Sequence, residues 1–541
     1  MKISLAQLNY HVGNFEANTS KIITSIQKAE QENADLIIFS ELAICGYPPR
    51  DFLEFDEFIE ECSNSINSIA KHCTTIAAIV GAPSKNNNQR GKKLYNSAYF
   101  LNHGKVEDIF HKTLLPNYDI FDEYRYFEPN KSFDLLEFKG EKIAVSICED
   151  LWNIVDQLYE VDPMEELAKL KPSLIVNIAA SPFNYNQEKD RKKVLKATFE
   201  KYQLPIVYCN HVGAQTELIF DGGSIFINAK GDIQNELKYF EEDFSIIDTK
   251  EISAAKTQIE KSKVALIHDA LISGIRDYFG KLGFKKALVG LSGGIDSAVV
   301  YAMAAEALGN ENVMGVLMPS QFSSDHSISD ARKLAANLNA EQHLIEIEPL
   351  FSAFSNHLAP LFQNLPFNLA EENLQARIRG TLLMAVSNKF GHILLNTTNK
   401  SEAAVGYGTL YGDMNGGLSI LGDLYKLEVY DLARYINRDN EIIPLNSIEK
   451  APSAELRPGQ KDSDSLPEYD VLDKILYQYI ELRNGPDAII QQGFDAATVK
   501  RVLKMVNTTE YKRHQTPPIL RVSSKAFGTG RRMPIVGKYL A

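Results

Sequence analysis

The chain has 541 residues, with 57 lysines and arginines against 70 aspartates and glutamates. Its net charge of −13 argues against a general nucleic-acid binder, and its length predicts two or more domains. All five cysteines lie in the first half; an odd number without a secretory signal predicts a cytoplasmic protein without a disulfide framework. We expect no membrane attachment, because no apolar run is long enough to cross a bilayer.

Up to about residue 248, short apolar runs alternate with amphipathic stretches. Apolar runs of this kind are typical of strands that are buried on both faces. The stretches 17–30 and 53–72 indicate helices, and the last runs indicate a hairpin and an edge strand. We therefore predict an α/β domain over residues 1–248. Its main predicted strands are DLIIF (35–39), TIAAIVGAP (75–83), KIAVSI (142–147), SLIVNIAA (173–180) and LPIVYCN (204–210).

A polar segment at 249–262 is predicted to link this domain to a second domain over residues 263–541. In the second domain, apolar residues recur at helical spacing from Val264 to Leu282, and strands then alternate with helices. Such alternation predicts a parallel, doubly wound sheet, which binds ligands at the carboxyl ends of its strands. The predicted strands are 287–291, 313–319, 343–347 and 392–398, and the predicted helices include 298–308, 327–338 and 373–389.

The loop GLSGGIDSA, residues 290–298, lies between a predicted strand and a predicted helix. Its glycines let the backbone approach a ligand closely, and the free N–H groups at the helix start favour an anion. The lysine that a Walker loop requires is absent. A neutral loop followed by Asp296 suits a phosphate group held together with Mg²⁺. A glycine turn chosen only for close packing is the alternative, which the full S-G-G-x-D-S pattern disfavours.

Three residues that could cleave an amide follow predicted strands in the first domain: Glu41, Lys112 and Cys148. A thiol attacks an amide only as the thiolate, so it needs a base or a positive charge nearby. Glutamate can take and return the proton, and lysine can support the thiolate and the developing oxyanion. Each residue alone also fits an ordinary role, as a buried apolar cysteine or as a surface charge. The three together indicate an amidase.

Segments around these residues resemble the glutaminase branch of the nitrilase superfamily, namely SELAICGYPPRD (40–51), HKTLLPNYDIFDEYRYF (111–127) and ICEDLW (147–152). The resemblance implies a four-layer αββα domain. It also implies that Glu41, Lys112 and Cys148 form a catalytic triad, which makes a thioester with the glutamine side chain and releases ammonia.

The same resemblance implies further site residues. Glu123 lies where the superfamily often has a second glutamate, and Tyr118, Ser181 and Gln187 match glutamine-binding positions. The branch often has a basic residue at the position of Gln187, so another group must neutralise the substrate carboxylate. Lys189 is the candidate replacement.

In the second domain, the loop resembles that of the ATP pyrophosphatases, which cleave ATP between the α- and β-phosphates. Four further motifs closely resemble the family of glutamine-dependent NAD⁺ synthetases. The resemblance implies that a carboxylate of deamido-NAD⁺ becomes an acyl-adenylate, from which ammonia displaces AMP. The motifs are ENLQARIRGTLLM (372–384), TTNKSEAAVGYGTLYGDMNGG (397–417), PSAELRPGQ (452–460) and YKRHQTPPILRVSSKAFG (511–528).

This resemblance implies ATP, glutamine and deamido-NAD⁺ as substrates, Mg²⁺ as cofactor and a homo-oligomer. Asp296 and Glu402 would hold the metal. Basic residues around 377–379 and 512–513 would meet the phosphates of a dinucleotide. The implied ATP-binding residues are Gly290, Leu291, Ser292, Gly293, Gly294, Ile295, Asp296, Ser297, Thr397 and Lys426. The implied deamido-NAD⁺-binding residues are Asn373, Tyr407, Asp413 and Lys512.

Other functions are compatible with parts of this pattern. Asparagine synthetase and GMP synthetase share an S-G-G-x-D-S loop, but the first uses an amino-terminal cysteine, where this chain has Lys2 after Met1. The second uses a Cys-His-Glu glutaminase. An amidase with a nucleotide-sensing domain, or a binding scaffold without activity, are the alternatives outside the ligases.

Overall fold

The structure is a computed structural model, which describes residues 1–88, 90–363 and 365–540. The chain divides into two compact units, Met1–Lys261 and Ser262–Ala541. Within the described ranges, no helix combines the length and the apolar character that a membrane crossing requires.

Two mixed β-sheets pack face to face in the first unit. One sheet has the strand order β14-β1-β2-β3-β4-β5, the other β13-β12-β9-β8-β7-β6, and β10 and β11 form a separate hairpin. The strands are β1 (Lys2–Gln7), β2 (Leu36–Ile38), β3 (Ala77–Lys85), β4 (Leu94–Asn102), β5 (Lys105–His111), β6 (Leu136–Phe138), β7 (Glu141–Ile147), β8 (Leu174–Ala179), β9 (Ile206–Asn210), β10 (Val212–Gln215), β11 (Leu218–Asp221), β12 (Ile225–Ile227), β13 (Ile233–Glu236) and β14 (Asp243–Asp248).

Helices cover the outer faces of both sheets, so the unit has the expected αββα layers. Strand β2 shows why: Leu36 and Ile38 lie in the core between the sheets, whereas Ile37 lies in the core beneath α1 and α2. Because side chains alternate along a strand, a run that is apolar throughout fills both cores. The helices are α1 (Phe15–Gln31), α2 (Asp56–Ala70), α3 (Asn153–Asp156), α4 (Pro163–Lys169) and α5 (Gln187–Tyr202).

The second unit is built on a parallel sheet with the order β17-β16-β15-β18-β19. The strand order reverses at β15, and ligands of such sheets bind in the crevice at that point. The strands are β15 (Ala287–Leu291), β16 (Val313–Leu317), β17 (Glu341–Leu344), β18 (Ile393–Asn396) and β19 (Leu418–Ser419). The helices are α6 (Lys263–Leu282), α7 (Ile295–Leu308), α8 (Asp325–Leu338), α9 (Glu348–Phe362), α10 (Leu369–Phe390), α11 (Lys400–Val405), α12 (Lys426–Ile436), α13 (Leu445–Glu449), α14 (Tyr469–Ile480), α15 (Pro486–Gln491), α16 (Ala496–Thr508) and α17 (Glu510–Arg513).

Strand β17 differs from the prediction of 343–347. Its ladder with β16 begins at Glu341, which pairs with Met314, although the residues from Glu341 to Leu344 are exposed. Of the predicted residues 343–347, Ile347 alone is buried, and the backbone N–H groups of Ile345 and Ile347 donate to Leu317 and Pro319 just beyond the strand. The polar segment at 249–262 contains no helix, and Lys256 within it exchanges backbone hydrogen bonds with Gln234 and Glu236.

Candidate active sites

A buried lysine brings the acidic residues of the first site together. Glu41 lies just beyond β2 and Lys112 directly follows β5. The Lys112 Nζ lies 2.7 Å from Glu41 Oε1 and 2.9 Å from a carboxylate oxygen of Glu123, and no part of the Lys112 side chain is exposed. Cys148, also buried, directly follows β7. The three residues predicted from strand ends and the second glutamate therefore lie in one charged cluster.

The Glu41 carboxylate is held in a fixed orientation by three donors. Its Oε1 accepts hydrogen bonds from Lys112 and from Asn96 Nδ2, each at 2.7 Å, and its Oε2 accepts the Ala180 N–H at 2.9 Å. Asn96 was not predicted from the sequence. Its signal is weak, because an asparagine within strand β4 does not identify its distant partner.

Burial and the charges of this cluster together set the protonation of the Cys148 thiol. Burial and the neighbouring Glu41 raise the pKa of the Cys148 thiol well above its usual value, although Lys112 lowers it. Burial alone would lower the pKa of the Lys112 ammonium. The negative charges of Glu123 and Glu41 outweigh burial and raise this pKa well above its usual value, so the ammonium stays charged. The raised pKa of Cys148 favours the protonated thiol, and a base would have to accept its proton before the sulfur could act as a nucleophile.

Cys148 occupies a sharp turn at the point where the strand ends. It opens a short 3-10 helix, Cys148–Leu151, and its φ is 45°. This left-handed conformation is uncommon for a residue with a side chain and costs about 1–3 kcal/mol.

The predicted glutamine-binding residues form two groups. Tyr118 donates a hydrogen bond to Glu149 Oε1 at 2.9 Å. Gln187 Nε2 donates to Ser181 Oγ at 2.9 Å. Lys189, the predicted replacement for a basic residue at position 187, instead lies on the surface with its Nζ 3.3 Å from Glu260. The structure therefore pairs Ser181 with a neutral side chain and directs Lys189 to an exposed ion pair.

A cavity of about 310 Å³ opens at the carboxyl ends of β15 and β18 in the second unit. Gly293 lies in its loop with a φ of 74°, and a Cβ there would overlap the carbonyl oxygen of Ser327. Gly293, Asn373 and Lys512 do not line the cavity. The predicted residues that do line it are Gly290, Leu291, Ser292, Gly294, Ile295, Asp296, Ser297, Thr397, Glu402, Tyr407, Asp413 and Lys426.

Two carboxylates in this cavity share one ammonium group. The Lys426 Nζ lies 2.5 Å from Asp296 Oδ2 and 3.5 Å from Glu402 Oε1. Asn399 Nδ2 donates to the other oxygen of Asp296 at 2.9 Å. Burial and the nearby Asp296 raise the pKa of Glu402 to about 8, although Lys426 lowers it. The two carboxylates therefore have less positive charge beside them than would balance both of their negative charges. Asn399 was not predicted from the sequence.

The remaining predicted residues meet around one loop at the cavity rim. Asn373 Oδ1 accepts the Thr409 hydroxyl at 2.8 Å, and the Thr409 N–H donates to Asp413 Oδ1 at 2.6 Å. Lys512 Nζ donates to the carbonyl oxygens of Gly406 and Gly408, each at 2.8 Å. Asn373 and Lys512 thus contact the loop that carries Asp413 without lining the cavity themselves.

The arginines expected near phosphates differ in whether they face the cavity or already bond to other groups of the protein. Arg379 lines the cavity, and burial lowers the pKa of its guanidinium to about 10. Arg377 donates to the Leu410 carbonyl at 3.2 Å on the exposed side. Arg513 is buried 2.6 Å from Glu510, so its charge is already compensated. Of these three arginines, Arg379 is therefore the one that faces the cavity.

Two family models match consecutive parts of the chain, carbon-nitrogen hydrolase over residues 2–257 and NAD synthase over residues 267–516. The glutamine-dependent NAD(+) synthetase of Synechocystis sp. is 45% identical over 546 residues, which cover 98% of each chain. The Thermotoga maritima protein of the same name is 40% identical over 582 residues, covering 100% of this chain and 99% of its own.

A solved structure agrees over the same length. The glutamine-dependent NAD+ synthetase from Acinetobacter baumannii, in complex with adenosine diphosphate, is 38% identical to this chain and superposes with a TM-score of 0.79, covering 99% of this chain and 98% of its own. Since these similarities extend over both units and over nearly the whole length, the chain belongs to the glutamine-dependent NAD⁺ synthetases, a family of carbon–nitrogen ligases.

Proposed function

We propose that the first unit hydrolyses glutamine at Cys148 and that the second unit uses the ammonia and ATP to convert deamido-NAD⁺ to NAD⁺. The observation that supports the first half best is the buried Lys112 ammonium, which two glutamates share beside a protonated thiol. A thiol in this setting has both a proton acceptor and a cation within reach of its substrate.

In the glutaminase half, Cys148 Sγ attacks the side-chain amide carbon while Glu41 accepts the thiol proton. Lys112 stabilises the negative charge on the amide oxygen. Glu41 then returns the proton to the leaving ammonia, and a thioester remains. Water, deprotonated by Glu41, attacks the thioester, and glutamate leaves as the thiol regains its proton. Tyr118, Ser181 and Gln187 would bind the rest of the substrate.

In the synthetase half, a carboxylate oxygen of deamido-NAD⁺ attacks the α-phosphorus of ATP and diphosphate leaves. Ammonia attacks the resulting acyl-adenylate, and AMP leaves. The loop at 290–297 places backbone N–H groups at the start of α7, where they favour the leaving diphosphate. Lys426 and Thr397 would complete the ATP site. Asn373, Tyr407, Asp413 and Lys512 would bind deamido-NAD⁺ directly or by shaping its loop.

The residues present fit Mg²⁺. Asp296 and Glu402 offer hard oxygen donors with only one shared ammonium to balance them, and the pKa of Glu402 is raised to about 8 by burial and by Asp296. Mg²⁺ commonly takes one or two carboxylates together with substrate phosphates. When bound, it would neutralise charge on the phosphates.

We further infer a linker at 249–262 between domains at 1–248 and 263–541. From the cysteine content we infer a cytoplasmic location. From the family resemblance we infer a homo-oligomeric state. Light scattering of the purified chain tests the oligomeric state, and a mass equal to one chain would contradict it.

Replacing the nucleophile tests the division of the reaction. We expect Cys148→Ala to abolish NAD⁺ formation from glutamine, because no thioester can form. Ammonium salts should restore NAD⁺ formation, since the second unit is unchanged. At fixed, subsaturating ammonium, the restored rate should rise steeply from mildly acidic to mildly alkaline pH, because only neutral ammonia has a lone pair. Cys209→Ala, at another buried thiol, is the matched control. Glutamine-dependent synthesis by Cys148→Ala would refute the assignment.

A further inference from the structure

The proposed glutaminase site is assembled from two different sheets. Glu41 and Lys112 follow strands β2 and β5 of one sheet, whereas Cys148 follows β7 of the other. The distance between the thiol and its base therefore depends on how the two sheets are held at this edge. Apolar packing between sheets is not directional, so the alignment of the three groups requires a directional tie.

Asp150 provides such a tie. Its Oδ1 accepts the backbone N–H groups of Thr113 at 3.0 Å and Leu114 at 2.8 Å, and its Oδ2 accepts the N–H of Ile147 at 3.0 Å. Thr113 directly follows Lys112, and Ile147 directly precedes Cys148. The Asp150 side chain is almost completely buried. One carboxylate thus bonds to the backbone beside the lysine and beside the cysteine.

We infer that Asp150 is a positioning residue of the glutaminase reaction, which fixes the Cys148 thiol relative to Lys112 and Glu41. The inference rests on the proposed function of that site. The bond to Ile147 alone would be a local cap of the short 3-10 helix, Cys148–Leu151. The bonds to Thr113 and Leu114 span 37 and 36 residues of sequence and reach the segment just after β5 of the other sheet, which a cap does not require.

The backbone of Cys148 explains why the tie is needed. A non-glycine residue with a φ of 45° persists only when its surroundings determine that conformation. Asp150 bonds to the N–H group immediately before this residue and belongs to the turn immediately after it. Without the tie, the Cys148 backbone can relax towards an ordinary conformation. Its thiol then moves away from the position in which Glu41 can accept its proton.

Asparagine cannot replace this carboxylate. Its amide has the same size but only one acceptor oxygen, and its NH₂ group is a donor. If the oxygen faces Thr113 and Leu114, the NH₂ group meets the N–H of Ile147. If the amide is turned over, both bonds to the other sheet are lost. Asp150→Asn therefore breaks the tie on one side in either orientation.

Steady-state kinetics of the full-length chain test the inference. We expect Asp150→Asn to lower kcat for glutamine hydrolysis about 100-fold, the size of effect that a displacement of about 1 Å produces. KM for glutamine should stay within about threefold of the wild-type value, because the variant changes alignment and not the substrate contacts. NAD⁺ formation from ammonium should be unchanged.

Two further variants separate positioning from charge and from stability. Asp150→Glu keeps both oxygens and the charge but displaces them by one methylene group, so we expect a loss of kcat of similar size. Asp162→Asn is the matched control. Asp162 also accepts two backbone N–H groups, from Met164 and Glu165, but both belong to its own helix. We expect that variant to retain the wild-type kcat.

Each remaining outcome contradicts the inference. If Asp150→Asn keeps kcat within about twofold, the tie does not matter to the reaction. If Asp150→Glu is fully active, the residue acts through its charge. If far-ultraviolet circular dichroism shows the first unit unfolded in both Asp150 variants, Asp150 serves stability only. Cys148→Ala, measured in parallel, separates these outcomes from failure of the proposed site, since its continued glutamine turnover would refute the site itself.

Discussion

At the scale of single residues, the proposed glutamine site has Gln187 where we expect the α-carboxylate of the substrate. Gln187 Nε2 donates to Ser181 Oγ at 2.9 Å, so both groups expected there are neutral. Charge-assisted hydrogen bonds to a carboxylate are about twice as strong as neutral ones. We therefore expect Gln187→Lys to lower KM for glutamine about three- to tenfold with little change in kcat, a gain of about 1 kcal/mol. Initial rates of glutamine hydrolysis measure both constants.

Two controls accompany this prediction. Lys189→Gln should leave KM unchanged, because Lys189 pairs with Glu260 on the surface. The α-amide of glutamine, which lacks the carboxylate, should gain nothing from Gln187→Lys. An equal gain for the amide would show that the new lysine does not bind the carboxylate.

The sequence was informative for residues at strand ends and less so for their supporting partners. Glu41 and Cys148 follow apolar runs that form the buried strands β2 and β7, so their convergence could be anticipated. Lys112 follows β5, whose residues are exposed or half-buried, and burial gave no signal there. Asn96 and Asn399 could not be found in this way. Their amides bond to acidic residues 55 and 103 positions away, and no local pattern connects such distant partners.

At the scale of elements, a charged histidine joins helices α6 and α7. His268 Nδ1 lies 3.1 Å from Asp269 and its Nε2 lies 3.0 Å from Glu306 of the next helix. Burial lowers the pKa of His268, but the hydrogen bonds to both carboxylates raise it to about 9. Because the pKa is higher in the folded state, this contribution to stability is complete below about pH 6.5 and is lost as the pH rises through 9.

We expect His268→Gln to destabilise the second unit by about 1–3 kcal/mol at pH 6 and by much less at pH 10, with solvent at Glu306 reducing the effect. The measurement is the temperature at which ammonium-dependent activity is half lost, compared between the wild-type chain and the variant at both pH values. The titration of other groups affects the wild-type chain and the variant equally, so its effect on the difference between them cancels. A difference that grows between pH 6 and pH 10 would show that the sign is wrong.

The apolar runs predicted most strands within a few residues, because strands buried on both faces are apolar throughout. They were less accurate for β17, whose residues from Glu341 to Leu344 are exposed although they are hydrogen bonded to β16. The partners of a strand depend on the rest of the sheet, and burial alone does not reveal them.

At the scale of the whole molecule, the two proposed sites should fail independently. Asp296 lies in the second unit, and its oxygens bond to Lys426 and Asn399. We expect Asp296→Asn to reduce NAD⁺ formation at least 100-fold with either glutamine or ammonium, since an amide is a weak ligand for a hard cation. Glutamine hydrolysis should continue. Release of diphosphate and of glutamate, measured in the same samples, reports the two halves.

The matched control for this variant is Asp330→Asn. Asp330 is a buried carboxylate of the second unit, and it bonds to Asn446 Nδ2 at 2.5 Å instead of to the Lys426 cluster. We expect it to retain both activities. Full NAD⁺ formation by Asp296→Asn would remove Asp296 from the metal and phosphate site.

The pairing of β1 with β14 determines when one sheet of the first unit can be completed during synthesis. Lys2 pairs with Asp248, so the sheet that carries Glu41 and Lys112 is completed by one of the last strands of its unit to leave the ribosome. At about 5–20 residues per second, β1 waits roughly 12–50 s for this partner. A nascent chain that ends before residue 243 already contains all three proposed catalytic residues but lacks β14. The sheet that carries two residues of the proposed glutaminase site is thus complete only when nearly all of its unit has been made.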